Sequence, residues 1–364
     1  MTIDDNTQEE YDERFDKYEK EELRYDNVPP HVANKYPTRF GTEEIIQLIK
    51  IGCSGETARQ YDEHFSGYEI TLLYGIGLHK ERLGEKFERV MDNMRLVANT
   101  MHFAETEGME IHSDNAYENF SYVGCGSDAI IILDRRFKKA LKFCSDPEKE
   151  HSLISRLRKT QKNVIHAENL EDQAFAPIEV EYIDGESLEM MIDRENKLHP
   201  DRVKQYAADI LNGLIELRSA GIYQHRDIRP ANIMIDETND RAIIIDLGIA
   251  TTDPYAPPKD NRRYGGPNDL TSLGQVMYKM ATGDHLFAKS KSMERASQAD
   301  RLKDHRDWVY EKDSRLRFYL TKVYKNIEDG NLCDAITFCL KASGTDEEYT
   351  KLQDILERTD ISPQ

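Results

Sequence analysis

The chain has 364 residues and a formal net charge of −19, with 38% hydrophobic and 32% charged residues. This balance suits a soluble globular protein of two or three domains with an apolar core. So large an excess of negative charge argues against general nucleic-acid binding, because a phosphate backbone requires a basic surface.

No segment approaches the ~20 consecutive apolar residues of a membrane span. The acidic beginning of the chain, MTIDDNTQEEYDERF, does not read as a signal or transit peptide. The five cysteines include no CxxC pair, which favours reduced thiols over a disulfide framework or a zinc site. A cytoplasmic protein without a membrane partner is therefore expected. The cysteines are Cys53, Cys125, Cys144, Cys333 and Cys339.

The N-terminal region contains an internal repeat with a period of 25 residues. Leu23, Leu48 and Leu73 recur in register, and Gly52 and Gly77 fall where helices would end. Units this short cannot bury an apolar face alone, so three stacked helical units are predicted over residues 1–82. Two interpretations stay open: a purely structural stack, or an array that docks a protein partner or regulates the rest of the chain. The repeated motifs are YDERF at 11–15, YPTRF at 36–40 and YDEHF at 61–65.

The remainder of the chain changes from strand patterns to helical patterns. A helical linker is predicted over residues 83–116, and an α+β domain with two lobes, 117–183 and 184–360, is predicted after it. Strands are expected within 117–144 and at 176–183, and helices at 148–162, at 200–219 and through most of the C-terminal region.

Two polar clusters, each bracketed by β-branched residues, lie in the second half of the chain. The sequence YQHRDIRPANIMID occupies residues 223–236, and IIIDLGIA occupies residues 243–250. Their HRDIRPAN and DLG portions resemble the catalytic loop and the metal-binding motif of protein kinases. The resemblance extends in order over roughly residues 119–355, and it implies a bilobal protein-kinase-like domain that binds ATP and Mg²⁺, with Mn²⁺ as a substitute.

The resemblance gives each residue of the two clusters a separate role. Asp227 would orient the acceptor hydroxyl and take its proton, and Arg229 would neutralise the γ-phosphate. Asn232 and Asp246 are hard oxygen ligands suited to Mg²⁺. A cation at position 229 is typical of Ser/Thr kinases, so a serine/threonine protein kinase acting on a protein acceptor is expected.

The N-terminal part of the resemblance would supply residues that bind the nucleotide. The sequence GCGSDA at 124–129 is similar to the glycine-rich phosphate loop, with Gly124 and Gly126 open to the phosphates. ALKF is similar to the family's VAIK, which places Lys142 rather than Lys139 at the α- and β-phosphates and adds Ala140 to the nucleotide site.

The helix after ALKF supplies the glutamate that would pair with Lys142. Glu150 fits better than Glu148, because Ile154 and Leu157 then occupy the apolar positions that follow it, although Glu148 stays an alternative. IEVEYIDGESL is similar to the hinge, with Val180 as gatekeeper. Backbone groups of Glu181 and Ile183 would face adenine, and Ser187 would lie near the ribose.

The resemblance weakens after DLG. Only IATTDPY separates Gly248 from APP at 256–258, and Pro258 replaces a bracing glutamate, whereas Tyr264 keeps its spacing to Asp269. Asp269 itself would hold the catalytic loop. The shortened activation segment suggests activity without loop phosphorylation, or an acceptor that is not an extended peptide. The alternatives are a small-molecule kinase of the same fold and a nucleotide-binding pseudokinase or scaffold that acts through its repeats.

Overall fold

The computed structural model of the protein describes residues 10–61, 63, 65–83, 87, 94, 97–98, 120–125, 129–144, 147–157, 161–167, 177–254, 256, 267–286 and 312–357. The chain divides into two compact units. The first comprises Met1–Pro147 and Glu171–Tyr182, and the second comprises Glu148–Leu170 and Ile183–Gln364.

The first unit begins with helices that recur every 25 residues. Each nine-residue helix is followed by a four-residue helix, and the three pairs share the same phase of the repeat. The predicted helical repeats are therefore confirmed. The helices are α1 (Lys17–Tyr25), α2 (Pro30–Ala33), α3 (Thr42–Lys50), α4 (Gly55–Ala58), α5 (Gly67–Gly75) and α6 (Lys80–Leu83), and together they are named the repeat array.

Repeated local contacts explain why each long helix of the array begins and ends where it does. Glu19, Glu44 and Glu69 each accept a hydrogen bond from the amide three residues earlier, which satisfies a donor at the helix N-terminus. Each helix is followed by a residue in the left-handed region, a conformation that favours glycine and tolerates asparagine. These residues are Asn27 (φ 59°), Gly52 (φ 79°) and Gly77 (φ 93°).

A buried tyrosine closes each unit of the array. In all three units its hydroxyl donates to the backbone carbonyl 17 residues further along the chain, at 2.6 Å. Each of these bonds gives a partner to the carbonyl of a buried residue, so the 25-residue period extends to the tertiary contacts. The pairs are Tyr11 with Val28, Tyr36 with Cys53, and Tyr61 with Leu78.

The first unit continues with a four-stranded antiparallel sheet in the order β1-β2-β3-β4. Residues directly opposite each other in such a sheet share a face. Ala140 pairs with Val180, and Lys142 lies two residues after Ala140 on β3. These three residues therefore share one face of the sheet, and this face is named the lysine face. The strands are β1 (Phe120–Cys125), β2 (Ala129–Asp134), β3 (Lys139–Cys144) and β4 (Ile178–Glu181).

The opposite face of the sheet, named the array face, packs against the repeat array. Its apolar side chains belong to the same buried cluster as those of the array. The Tyr122 amide donates to the Ile76 carbonyl at 2.8 Å, and Arg82 donates to the Tyr122 carbonyl at 3.2 Å. The repeats therefore form a layer on the sheet. The buried residues of the array face are Phe120, Ile130, Ile132 and Phe143.

The second unit is mainly helical and includes a small sheet in the order β5-β6-β7. Its longest described helix, α9, buries the predicted apolar stripe of Val203, Tyr206, Ile210 and Leu214. The elements are α7 (Pro147–Ile154, whose first residue belongs to the first unit), β5 (Gly185–Ser187), α8 (Leu188–Glu195), α9 (Pro200–Ser219), β6 (Ile233–Asp236), β7 (Arg241–Ile244), α10 (Asp269–Thr282), α11 (Lys312–Asn326), α12 (Gly330–Lys341) and α13 (Asp346–Leu356).

The helix predicted over 148–162 is shorter than the sequence indicated. It ends at Ile154, and the described residues that follow it, up to 162, are not helical. The Ser155 hydroxyl donates to the Ser152 carbonyl at 3.0 Å, and the Leu157 amide donates to the Ile154 carbonyl, three residues back. These local bonds compete with the helical pattern and explain the early end.

Among the helices of the described residues, none combines the length and the apolar character that a membrane crossing requires.

Candidate active site

The loop between α9 and β6 is fixed by the carboxylate of Asp269, the first residue of α10. Its two oxygens accept from consecutive amides, Oδ2 from His225 at 2.7 Å and Oδ1 from Arg226 at 2.9 Å. Arg226 has a φ of 69°, which is uncommon for a residue with a side chain. Because Asp269 is buried, its two bonds hold this backbone conformation in place.

Asp227 follows directly, and 14% of its side chain is exposed. Its amide donates to His225 Nδ1 at 3.2 Å, so the buried imidazole carries its proton on Nε2, which faces the Ile245 carbonyl at 3.3 Å. The Arg229 Nε atom lies 3.3 Å from Asp227 Oδ1. The carboxylate is therefore positioned on a rigid loop with a cation beside it.

Asn232 ends the 3₁₀ turn Pro230–Asn232 and is buried. The side-chain Nδ2 atom of Asn232 donates to the Asp227 backbone carbonyl at 3.0 Å. The backbone carbonyl of Asn232 accepts from the Ile245 amide at 3.0 Å. Since the amide nitrogen bonds to the loop, the oxygen is the side-chain atom oriented away from that carbonyl. An oxygen fixed in this way suits a hard cation.

The turn Asp246–Gly248 is connected to the first turn of α7. Asp246 has a φ of 68°, and its Oδ1 atom accepts from the Gly248 amide at 3.3 Å. Glu150 Oε1 accepts from the Leu247 amide at 3.3 Å, and Lys149 Nζ donates to the Gly248 carbonyl at 2.9 Å. The backbone of this turn is therefore held by two adjacent side chains of one helix.

The competing glutamates of α7 have different surroundings. Glu150 is buried at 2% exposure, whereas Glu148 is exposed. This difference supports the choice of Glu150, and its pairing with Lys142 stays a prediction. No sequence pattern pointed to Lys149, because no spacing rule links a helix lysine to a backbone carbonyl 99 residues away.

On the lysine face of the sheet, Ala140, Lys142 and Val180 are all buried, with Lys142 at 8% exposure. Lys139 lies on the array face, where its Nζ atom pairs with Glu179 at 3.0 Å. The two lysines therefore have distinct environments.

Two of the remaining predicted nucleotide residues, Gly124 and Glu181, lie at the ends of strands. A Cβ added at Gly124 would meet nothing within 4 Å, so the backbone there is open to close approach. Glu181 is the last residue of β4. Gly126, like Pro258 and Tyr264 of the predicted activation segment, lies outside the described residues.

Ile183 and Ser187 belong to the second unit. Ile183 is buried. The Ser187 hydroxyl accepts from the Met190 amide at 3.2 Å, so this serine is the N-cap of α8. A serine directly before an apolar helical pattern is itself a capping signal, and the contact of Ser187 with a ribose stays a prediction.

Asn232 and Asp246 offer the amide and carboxylate oxygens that Mg²⁺ prefers. Elsewhere in the described part of the chain, no group of three His, Cys, Asp or Glu side chains is placed to hold a metal ion. The chemistry of the donors therefore fits a hard divalent cation bound jointly by protein and substrate oxygens.

Comparison with known proteins gives one family match. The model of the protein kinase domain matches residues 131–329. Serine/threonine-protein kinase PknB of Mycobacterium tuberculosis is 33% identical over 129 residues, which cover 30% of this chain and 20% of PknB. Serine/threonine-protein kinase pkn3 of Myxococcus xanthus is 27% identical over 161 residues, covering 37% of this chain and 29% of pkn3. The chain thus spans less than a third of the length of these curated relatives.

Among solved structures, one similar chain is described as the crystal structure of Rad53 kinase domain and SCD2 in complex with AMPPNP. It is 18% identical, with a TM-score of 0.48, and the alignment covers 68% of this chain and 94% of that chain.

Proposed function

The chain belongs to the protein kinase family, whose domain matches more than half of it, and from that membership we propose that it is an ATP-dependent serine/threonine protein kinase. The observation that carries the proposal is the position of Asp227 on a loop whose preceding amides are locked by a buried carboxylate. Phosphoryl transfer depends on such fixed positioning and on electrostatic stabilisation.

Asp227 accepts the proton of the acceptor hydroxyl and orients its oxygen toward the γ-phosphorus. Arg229 stabilises the charge of the transferring group. Its Nε atom lies beside Asp227, and 43% of its side chain is exposed, so the guanidinium is accessible to an anion. A planar guanidinium presents two N–H groups to phosphate oxygens, which an ammonium group cannot do in the same geometry.

Asn232 and Asp246 hold Mg²⁺, or Mn²⁺, through their oxygens. The cation, when bound, neutralises part of the charge of the triphosphate. Glu150 and Lys149 support this function indirectly, because their bonds to Leu247 and Gly248 fix the backbone that carries Asp246.

The nucleotide is proposed to contact residues of the sheet and of the segment after it. Lys142 binds the α- and β-phosphates and is paired by Glu150. Gly124 and Gly126 let backbone amides approach the phosphates. Ala140, Val180, Glu181 and Ile183 surround the adenine, and Ser187 lies near the ribose.

The acceptor is proposed to be a serine or threonine of a protein. Arg229 and the relatives named as serine/threonine kinases support this class. A small-molecule acceptor is the second candidate, favoured by the short stretch between Gly248 and the APP sequence at 256–258.

The test is transfer from γ-labelled ATP by the full chain, with Mg²⁺ or Mn²⁺, alone and with casein. We expect labelled phosphoserine or phosphothreonine. Asp227→Asn is expected to lower transfer by roughly 10²- to 10⁴-fold, the usual contribution of a general base, and to leave ATP affinity largely unchanged. Asp193→Asn, at an exposed position of α8, is the matched control.

Absence of transfer from the wild-type chain with either metal, despite ATP binding, would favour the nucleotide-binding scaffold. Transfer to small hydroxyl compounds and not to casein would favour the small-molecule kinase. Retained turnover in Asp227→Asn would remove the proton-accepting role of this residue.

The repeat array is proposed to serve first as a packing layer of the sheet, since its side chains share one buried cluster with the array face. A protein partner at its outer surface is a second proposal, which the exposed side chains of Tyr18, Tyr25 and Tyr68 support. Cross-linking of the full chain in cell extract, with and without these three tyrosines replaced by serine, tests that partner.

A further inference from the structure

Gln224 immediately precedes the catalytic loop and lies beside the residues that follow the Asp246–Gly248 turn. Its backbone forms an isolated antiparallel bridge with Thr251. The Thr251 amide donates to the Gln224 carbonyl at 2.9 Å, and the Thr251 carbonyl accepts from the Tyr223 amide at 3.0 Å. The backbone alone therefore brings the segment after Gly248 to the start of the loop.

The side chain of Gln224 reaches further along that segment. Its Nε2 atom lies 3.3 Å from the Pro254 carbonyl and 3.3 Å from the Ala256 carbonyl, and it donates to both. A primary amide has two N–H groups, so one group can serve each acceptor. A single side chain thus spans the part of the segment beyond the backbone bridge.

The segment also has bonds of its own. The Asp253 amide donates to the Thr251 hydroxyl at 3.1 Å, and the Ala256 amide donates to the Asp253 carbonyl at 3.3 Å. These bonds, and those of Gln224, connect only amides, carbonyls and a hydroxyl. These bonds of residues 251–254 and 256 therefore use neutral donors and acceptors.

Gln224 is itself attached to a rigid point. The next two residues, His225 and Arg226, are the ones whose amides bind the buried carboxylate of Asp269. A displacement of the segment would therefore have to break the Gln224 contacts, because the loop on the other side of them is fixed.

We propose that Gln224 is a positioning residue that holds Thr251, Pro254 and Ala256 against the catalytic loop, so that the acceptor side of the site is ordered without a phosphoryl group on this segment. The role concerns the acceptor and not the nucleotide, because the contacts lie on the segment beyond Gly248. This inference rests on the proposed kinase activity for its kinetic part only.

The decisive variants are Gln224→Leu and Gln224→Glu in the full chain. Leucine keeps a similar volume and removes both N–H groups, whereas a glutamate carboxylate presents oxygens to two carbonyl oxygens. If the two N–H donors hold the segment, both variants lose this contact. If only the side-chain volume matters, both variants behave like the wild type. Gln205→Leu is the matched control, because the Gln205 amide also donates to a backbone carbonyl, that of Asp240.

Hydrogen exchange measured by mass spectrometry shows whether Gln224 holds the segment, and this measurement does not depend on catalysis. We expect faster exchange at the amides of residues 251–256 in both Gln224 variants. Exchange in α9 is expected to match that of the wild type. The Gln205→Leu chain should exchange like the wild type over 251–256.

Kinetics are measured with protein treated with phosphatase and shown by intact mass to carry no phosphate. The wild-type chain is expected to be active in this form. In both Gln224 variants kcat/KM for the acceptor should fall about tenfold, which corresponds to one broken contact pair, while KM for ATP should be unchanged.

Two results would overturn the proposal: unchanged exchange over 251–256 in both Gln224 variants, or a wild-type chain that is active only after phosphorylation within this segment. A wild-type chain without any transfer contradicts the proposed function instead, and the exchange experiment still decides whether Gln224 holds the segment. If Gln224→Leu fails to fold, Gln224→Glu supplies the same comparison.

Discussion

At the scale of single residues, Lys139 and Lys142 show how the strand geometry separates two similar side chains. They are three positions apart on β3 and therefore lie on opposite faces. Lys139 is half-buried on the array face and pairs with Glu179, whereas Lys142 is buried on the lysine face beside Ala140. Only the second position combines a buried ammonium group with the face that is proposed to bind the nucleotide.

We predict that Lys142→Met lowers kcat/KM for ATP by roughly 10²-fold, the usual cost of removing one positioned charge donor. Lys139→Met is expected to leave ATP kinetics unchanged and to alter stability by about 1 kcal/mol or less, the usual value for an ion pair that water still reaches. Initial rates at varied ATP concentration, with thermal melting of both variants, provide the check. Equal kinetic losses in the two variants would mean that Lys142 has no special role.

Other residues show what the sequence was able to predict. The apolar positions after Glu150 favoured it over Glu148, and the burial of Glu150 supports that choice. The hydrogen bonds from Gln224 to the Pro254 and Ala256 carbonyls could not be predicted in this way, because a glutamine before a loop is compatible with many partners. Side-chain contacts with backbone carbonyls depend on tertiary geometry and leave no spacing pattern.

At the scale of elements, the hairpin of β6 and β7 is organised by one carboxylate. Asp236 accepts from the Thr238 amide at 3.0 Å, the Asn239 side chain at 2.7 Å and Arg241 Nε at 3.1 Å. Burial alone would raise the pKa of Asp236, but the hydrogen bonds from Asn239 and Arg241 outweigh burial and lower it. The ionised form therefore stabilises the hairpin that follows the loop between α9 and β6.

We predict that this stabilisation is present at neutral pH and is lost in acid. Because the pKa of Asp236 is lower in the folded chain than in the unfolded chain, the contribution is complete above the ordinary aspartate pKa of about 4. It declines as the pH falls through the folded value. Asp236→Asn should lower the free energy of unfolding at pH 7 by about 1 to 3 kcal/mol and flatten its dependence below pH 4.

Urea unfolding at several pH values measures both effects, with Asp193→Asn as the control for removal of a charge. An Asp236→Asn chain that keeps the acid dependence of the wild type would assign that dependence to other carboxylates.

The element boundaries show where sequence patterns suffice. The 25-residue period predicted the helices of the array, and Gly52 and Gly77 marked the ends of α3 and α5, because both the glycines and the apolar residues recur in phase. The helix over 148–162 was predicted too long, since its apolar spacing continues beyond the point where local serine and turn bonds end α7 at Ile154.

At the scale of the whole molecule, the repeat array belongs to the same compact unit as the four-stranded sheet. The sequence did not predict this. β2 reads AIIILD, with isoleucines on both faces, so the alternation does not reveal which face is covered. Only the pairing of β1 to β4 shows that Phe120, Ile130 and Ile132 share the face that meets the array.

We predict that a chain beginning at residue 108 is strongly destabilised. Removal of the array exposes Phe120, Ile130, Ile132 and Phe143, and each such side chain contributes about 1.5 to 3 kcal/mol when fully buried. We expect a lower melting temperature, a tendency to aggregate and weaker ATP binding, as measured by thermal unfolding, light scattering and nucleotide titration. A full chain with Tyr18 and Tyr25 replaced by serine controls for loss of the exposed surface of the array.

A shortened chain that melts like the full chain and binds ATP equally well would show that the sheet does not need the array. A rise in specific activity on truncation would instead indicate that the array restrains the catalytic part.

The hydrogen bond of the tyrosine that closes each unit affects how the number of repeat units can change. Its partner carbonyl is always 17 residues away and inside the same period. Within the described ranges, the hydrogen bonds that reach the backbone of the sheet come from the Ile76 carbonyl and the Arg82 side chain, at the end of the last unit. Duplication or loss of a whole 25-residue block upstream preserves both kinds of bond. The number of units can therefore vary in evolution, or by design, independently of the residues on the lysine face.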